Sequence, residues 1–441
     1  MTFNPRTARL ASERGAIVIQ VGVAILVLSA FAMFIVDYGV LWVSRHQAQN
    51  AADAGALAGA TALAFDDYDD RTDTGPAKLA AQQFALANNV WDGAPKVNVA
   101  DDVRFYPDAP AQFPASCSGD DCIRVDVHRT QTSGNPLPTF FGRLAGVMNQ
   151  GTVATATAQV VSGDSTACLR PWAVVDRWQE FGPEGPGLLP TSTFDKYSTG
   201  QGNNPPPEAD VYIPPSEGGG TGYTLPADRG RQFAIKMGPS GGNEISSGWF
   251  RTLDLPRADT TQLGNNTVQN NILTCNGLPS SFASPDTVCP ASIPNNWEDT
   301  AYWAARGCYR VQTGATVGST RNSIEALMAR DPNARWSNGD ITGSTFDPGA
   351  TSPRVVPVGV MDIDWYLSHD PTGNNGVLRM VNIFGFFIEG MGNVDRNTGA
   401  ITLAANGQSV IGRIMTLPAT ATGNSTLPGN ASFLVTVRLV R

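Results

Sequence analysis

The sequence predicts an α+β protein. A long N-terminal membrane-spanning helix continues into a helix-plus-sheet unit, and a β-rich extracytoplasmic domain follows. Three observations carry this reading. Residues 16–36 hold no charge, and as a helix rising about 1.5 Å per residue they span roughly 31 Å, close to the hydrocarbon thickness of a bilayer. No helix breaker follows until the acidic cluster at Asp66, so one rod runs from Gly15 to about Phe65. From Lys96 onward, apolar or alternating segments separated by turn residues read as strands. The expected division is 1–14 cytoplasmic tail, 15–36 transmembrane helix, 37–162 helix plus antiparallel sheet, and 163–441 β-rich domain with long Gly/Pro-rich loops.

The anchor comes first. Arg6, Arg9 and Arg14 precede it, opposed only by Glu13, and the bias of basic residues to the inner side predicts a cytoplasmic N-terminus in an inner membrane and a periplasmic remainder. Tyr38 and Trp42 stand where the span leaves the bilayer, as amphipathic aromatics do. Two processing schemes compete with a plain anchor. Ala30-Phe31-Ala32 mimics a signal-peptidase site, but the apolar run exceeds a normal signal core and continues beyond it. Cleavage of the prepilin type after Gly15 requires glutamate at the fifth mature position, where Gln20 stands; an uncharged amide cannot pair with a neighbour's terminal ammonium as a carboxylate does.

Beyond the membrane the helix is low in bulk. Ser44, Ala48, Ala52, Ala56, Ala60 and Ala64 recur every four residues, with Ala51, Gly55 and Gly59 as a second row. Such rows admit close backbone approach, and Gly55 with Gly59 makes a GxxxG pair. Alanine-rich helix propensity is the plainer account, but two glycines cost helix stability. Ala48, Ala51, Ala52, Gly55, Ala56, Gly59 and Ala60 are therefore the candidate contact with a partner protein.

Residues 66–75 carry five aspartates without the EF-hand spacing, and read as a solvated turn. Pro76–Asn89 is a second helix, with proline at its first position and apolar Leu79, Phe84 and Leu86. KVNV, DVRFY, CIRVDVHR and VATATAQVV read as strands, with a short helical PTFFGRLAG before the last. This unit is pilin-like in outline. From residue 163, Gly- and Pro-rich chain gives way to strands at DVYI, RQFAIKM, GWFRTLDL, RGCYRVQTG, PRVVPVGVMDI, VLRMVNIFGFFIEG, SVIGRIMTL and ASFLVTVRLV, with a helix at Ser319–Arg330. The 46 glycines and 31 prolines predict long loops.

A net charge of −9 argues against a nucleic-acid partner, which needs a clustered basic footprint. Cys117, Cys122, Cys168, Cys275, Cys289 and Cys308 all lie beyond the span, where disulfides persist. None forms a CxxC pair, so structural disulfides rather than zinc or redox chemistry are expected, with Cys117 and Cys122 the natural short loop. Catalytic sets are thin. His46 and His128 fall on a helix and a strand; Ser240 sits in a G-x-S-x-G without a convincing helix after it; Asp362, Asp364 and Asp370, beside His369, form the one acidic cluster of interest. No cofactor, metal or catalytic residue is expected.

The order of RGA, apolar span, Asp37-Tyr38 and QAQNAADAGALAGATALA resembles the N-terminus of the TadE/TadG-like family of Flp pilus-assembly proteins. IRVDVHR, PTFFGRLAG, VATATAQVV, CLRPWAV, GATVGSTRNSIEALMARDPNA, SPRVVPVGVMD and GFFIEGMG are similar to segments in the same order in longer TadG-like members. Some of those carry a von Willebrand A domain whose metal site begins DxSxS; no such motif occurs here. The resemblance implies an inner-membrane, non-enzymatic protein associated with assembly of a Tad-type pilus or adhesive structure, with protein partners in that machinery. The alternative is an external domain that binds or hydrolyses envelope polymers.

Overall fold

A computed structural model describes residues 5–66, 70–117, 121–181, 189–195, 209–236, 245–312, 317–337, 339–346, 349–369, 376–395, 397–420 and 427–440. The chain divides into two compact units, each discontinuous in sequence. The first takes residues 1–62, 70–159 and 439–441, and the second takes 63–69 and 160–438.

A single helix, α1 (Pro5–Phe65), runs for 61 residues, about 92 Å at 1.5 Å per residue, and all but its last three residues belong to the first unit. It begins before Gly15, at a proline whose fixed φ and missing N–H suit a first helical position. Among the described residues it is the one helix long and apolar enough to cross a membrane; its most apolar window has mean hydropathy 2.6 and none of that window is buried. The outer half packs against α2 (Pro76–Ala87), again opened by proline, and against a sheet of β1 (Val103–Phe105), β2 (Cys122–Arg129) and β3 (Thr152–Ser162). The strands are antiparallel in the order β1-β2-β3, with Val103 opposite Val125 and Val125 opposite Ala156.

One local expectation changes, and another is made specific. KVNV is not a strand: Lys96 makes one bridge to His128, and the Asn98 side chain then accepts from Ala100 N at 3.1 Å and caps the helical turn Val99–Asp102. A short polar side chain that bonds its own backbone diverts the chain from the ladder. PTFFGRLAG is a 3-10 turn at Gly142–Ala145, held between Leu137–Pro138 and Asn149–Gln150, which pair antiparallel.

The second unit is built on a mixed sheet. Its strands are β4 (Trp172–Val175), β5 (Gln232–Lys236), β6 (Phe250–Thr252), β7 (Cys308–Arg310), β8 (Val355–Met361), β9 (Val377–Val394), β10 (Ile401–Leu403) and β11 (Ser409–Met415). The order is β5-β11-β9-β8-β4-β6, with β7 and β10 also paired to β9; β4 and β8 are parallel and the other pairs antiparallel. Helices α3 (Asn265–Leu273) and α5 (Val317–Arg330) place Val268, Ile272, Ile324 and Leu327 in one core with Val356, Val358, Val360 and Phe384. A second core joins Ala173, Leu253, Met361, Leu378 and Met380 to Ala304 of α4 (Trp297–Ala304) and to Ile363 and Tyr366 of α6 (Ile363–His369). Apolar cover on both faces explains why β9 reads as a continuous apolar run rather than an alternation. The expected strand DVYI is reduced to one bridge, Val211 with Gln179.

Candidate functional site

The small-residue rows of α1 form a packing surface. Ala48, Ala51, Ala52, Ala56 and Ala60 are wholly buried, and Gly55 and Gly59 lie buried beside them. A β-carbon added at Gly55 would sit 2.8 Å from the Ala81 carbonyl oxygen, 2.9 Å from Ala85 Cβ and 3.3 Å from Val125 Cγ1. At Gly59 it would meet Ile123 Cδ1 at 2.6 Å and Ala81 Cβ at 2.9 Å. The backbone these rows admit is therefore that of α2 and β2 of the same chain. A matching row on α2, Ala77, Ala81 and Ala85, is also fully buried. That four-residue spacing was present in the sequence and marks the complement.

Where the apolar run ends, Asp37 clasps a loop. Its carboxylate accepts from Phe140 N at 2.7 Å, Phe141 N at 3.1 Å and Gly142 N at 2.6 Å, and its carbonyl accepts from Gln150 Nε2 at 3.2 Å. Charge-assisted bonds to three successive amides satisfy the free donors at the start of the 3-10 turn. Sequence reasoning missed this role for Asp37, because the loop it holds lies about a hundred residues further along the chain. On the exposed side of α1, Phe34, Tyr38 and Trp42 stack in succession with centroids 5.8 and 6.4 Å apart, and His46 meets Trp42 edge-on at 5.1 Å. Gly15 lies within α1, and Gln20 is exposed one turn beyond it.

The candidate acids serve the fold. Asp362 caps α6, accepting from Trp365 N at 3.0 Å, and its other oxygen pairs with Arg379 at 3.0 Å. Asp176, fully buried nearby, accepts from Arg177 N, Tyr223 N and the Tyr212 hydroxyl at 2.8, 3.0 and 3.1 Å. Burial pushes its carboxyl up to about 7 against those hydrogen bonds. It also raises Asp362, which the Arg379 charge and the Trp365 amide oppose. Both groups are buried and their oxygens are engaged by these partners. Asp364 lies in the first turn of α6, whereas Asp370 and the Gly238–Gly242 elbow with Ser240 lie outside the described residues.

The histidines do not converge on these acids. His46 lies edge-on to Trp42, His128 Nε2 is 3.0 Å from Asp102, and His369 stacks on Trp365 at 4.1 Å. Among the described residues no group of three His, Cys, Asp or Glu side chains is placed to hold a metal. In the acidic turn, Asp70 accepts from Thr72 N at 3.1 Å and Asp73 pairs with Lys78 at 2.8 Å. A hollow of about 510 Å³ in the first unit is lined by Gln49, Asp53, Phe113 and Thr155. Gln49 Nε2 donates to Asp53 Oδ1 at 2.8 Å and to the Thr155 carbonyl at 3.1 Å, so these polar groups hold one another. All six cysteines pair, as Cys117–Cys122, Cys168–Cys275 and Cys289–Cys308.

Residues 15–62 match the family model described as putative Flp pilus-assembly TadE/G-like. No curated protein and no solved structure matches the chain.

Proposed function

We propose that this chain, from its TadE/G-like segment, is a non-enzymatic membrane-anchored component associated with assembly of a Tad/Flp-type pilus or adhesive surface structure. The observation that carries the reading is that the family match, residues 15–62, coincides with the apolar span and the small-residue rows of α1. The arginines before the span support a cytoplasmic N-terminus in a bacterial inner membrane, with the remainder of the chain periplasmic.

In this reading the first unit is pilin-like, a long helix laid on a small sheet. Its small-residue rows fasten the anchor to α2 and to that sheet. The rows are covered by α2 and β2, and the exposed face of α1 is left for the assembly machinery.

The test is genetic. In the source bacterium, removal of the gene should abolish surface pili, and the intact gene supplied in trans should restore them. Normal pilus number and length in the deletion strain would overturn the proposal.

A further inference from the structure

The loop held by Asp37 is apolar where it has no protein to cover it. Phe140, Phe141, Val147 and Met148 are 53, 38, 52 and 60 % exposed, and Leu137–Gln150 contains no acidic residue and one exposed base, Arg143. Large apolar side chains concentrated on one short loop mark an interaction surface rather than the scatter normal for a soluble face. The loop is also braced. Thr139 Oγ1 donates to the Val147 carbonyl at 2.6 Å, Val147 N to the Gly142 carbonyl at 2.9 Å, and Gly146 turns the chain at φ 83°.

Its level on α1 identifies the occupant. Asp37 follows directly on Val36, the last residue of the uncharged run, and the amides of Phe140, Phe141 and Gly142 lie within 2.6–3.1 Å of its carboxylate. The loop is thus held at the residue that follows the exposed apolar side chains Phe34, Ile35 and Val36, at the end of the uncharged run. Asp37 itself has its charge shared among three amides, which lowers the cost of a carboxylate at that depth.

We propose that this loop is a second membrane contact, with Phe140, Phe141, Val147 and Met148 entering the interfacial layer of the leaflet through which α1 emerges. Arg143 extends from the same turn toward the lipid phosphates. Aromatic and aliphatic side chains with a basic residue and no acid are the composition of such interfacial segments. The proposal rests on residues 16–36 spanning the bilayer. It adds a second attachment, which fixes the tilt of the first unit on the membrane.

The experiment uses the full chain in phospholipid vesicles. With all native cysteines paired, Phe141→Cys and Met148→Cys each supply one reactive thiol at an exposed position for an environment-sensitive fluorophore. Leu28→Cys in the span and Phe84→Cys on α2, also exposed, serve as references. Vesicles carrying nitroxide lipids quench labels in proportion to lipid contact. We expect the labels at 141 and 148 to lose most of their fluorescence to a nitroxide near the headgroups, the label at 28 to a deep nitroxide, and the label at 84 to neither. Quenching at 141 and 148 no greater than at 84, with 28 quenched, overturns the loop contact alone. If the label at 28 also stays bright, the span reading falls and the loop contact with it.

Discussion

At Gly59 the missing side chain decides the packing. Because a β-carbon there meets Ile123 and Ala81 inside contact distance, Gly59→Leu should destabilise the first unit by about 1–3 kcal/mol, the usual cost of overpacking. Gly39 is the control, since nothing lies within 4 Å of its added β-carbon, and Gly39→Ala should be neutral or stabilising by up to about 1 kcal/mol from helix propensity. Thermal unfolding of the two variants reads both signs; a neutral Gly59→Leu would remove the close approach. Asp176 makes the second residue-scale prediction. Its folded pKa, near 7, lies above the ordinary value of 3.8, so between those limits the folded chain binds more protons than the unfolded one. The contribution of Asp176 to stability must then fall as pH rises from about 4 to about 7, by on the order of 4 kcal/mol at 1.36 kcal/mol per pKa unit. Asp176→Asn lacks that titration. Denaturant unfolding across this range should therefore show the variant gaining on the wild type as pH rises, and a constant difference would refute it.

At the scale of elements, legibility in the sequence followed length and pattern. β2, β9 and β11 were readable because apolar residues run or alternate between turn residues, and α2 because proline and a helical period agree. α3, α4 and α6 were not, being short and rich in Asn, Asp or Trp rather than amphipathic over several turns. α4 did carry a signal. Asn296 Oδ1 accepts from Asp299 N at 2.8 Å, the capping arrangement that N-W-E-D announces. The small-residue rows were legible as a contact surface, yet their occupant was not, because the complementary row on α2 has to be matched in three dimensions. The Asp37 clasp was illegible for the same reason. The Cys117–Cys122 loop was legible from its short spacing, whereas the partners of the other four cysteines needed the fold, and the pairs give a graded prediction. Cys168–Cys275 spans 107 residues and Cys117–Cys122 spans 5. By chain entropy the first contributes about 4.7 kcal/mol and the second about 2 kcal/mol. Cys168→Ser with Cys275→Ser should therefore lower Tm more than Cys117→Ser with Cys122→Ser. Non-reducing peptide maps that show other pairings would overturn the assignment.

For the whole molecule, the proposed anchor raises the question of which side of the membrane carries the residues beyond Asp37. The uncharged run is preceded by Arg6, Arg9 and Arg14, whereas between Asp37 and Asp66 the only lysine or arginine is Arg45. Basic residues near a span are retained on the cytoplasmic side, and this imbalance within one helix length predicts that residues beyond Asp37 face outward. Three disulfides, with no free cysteine, suit an oxidising compartment and agree with that orientation on separate chemical grounds. Protease added to intact spheroplasts should therefore degrade the external chain and leave a membrane-embedded fragment containing residues 16–36. A tag placed before Met1 should survive until the membrane is lysed. Protection of the bulk of the chain, with early loss of the N-terminal tag, would reverse the orientation, and would leave the disulfides to be explained in a reducing compartment.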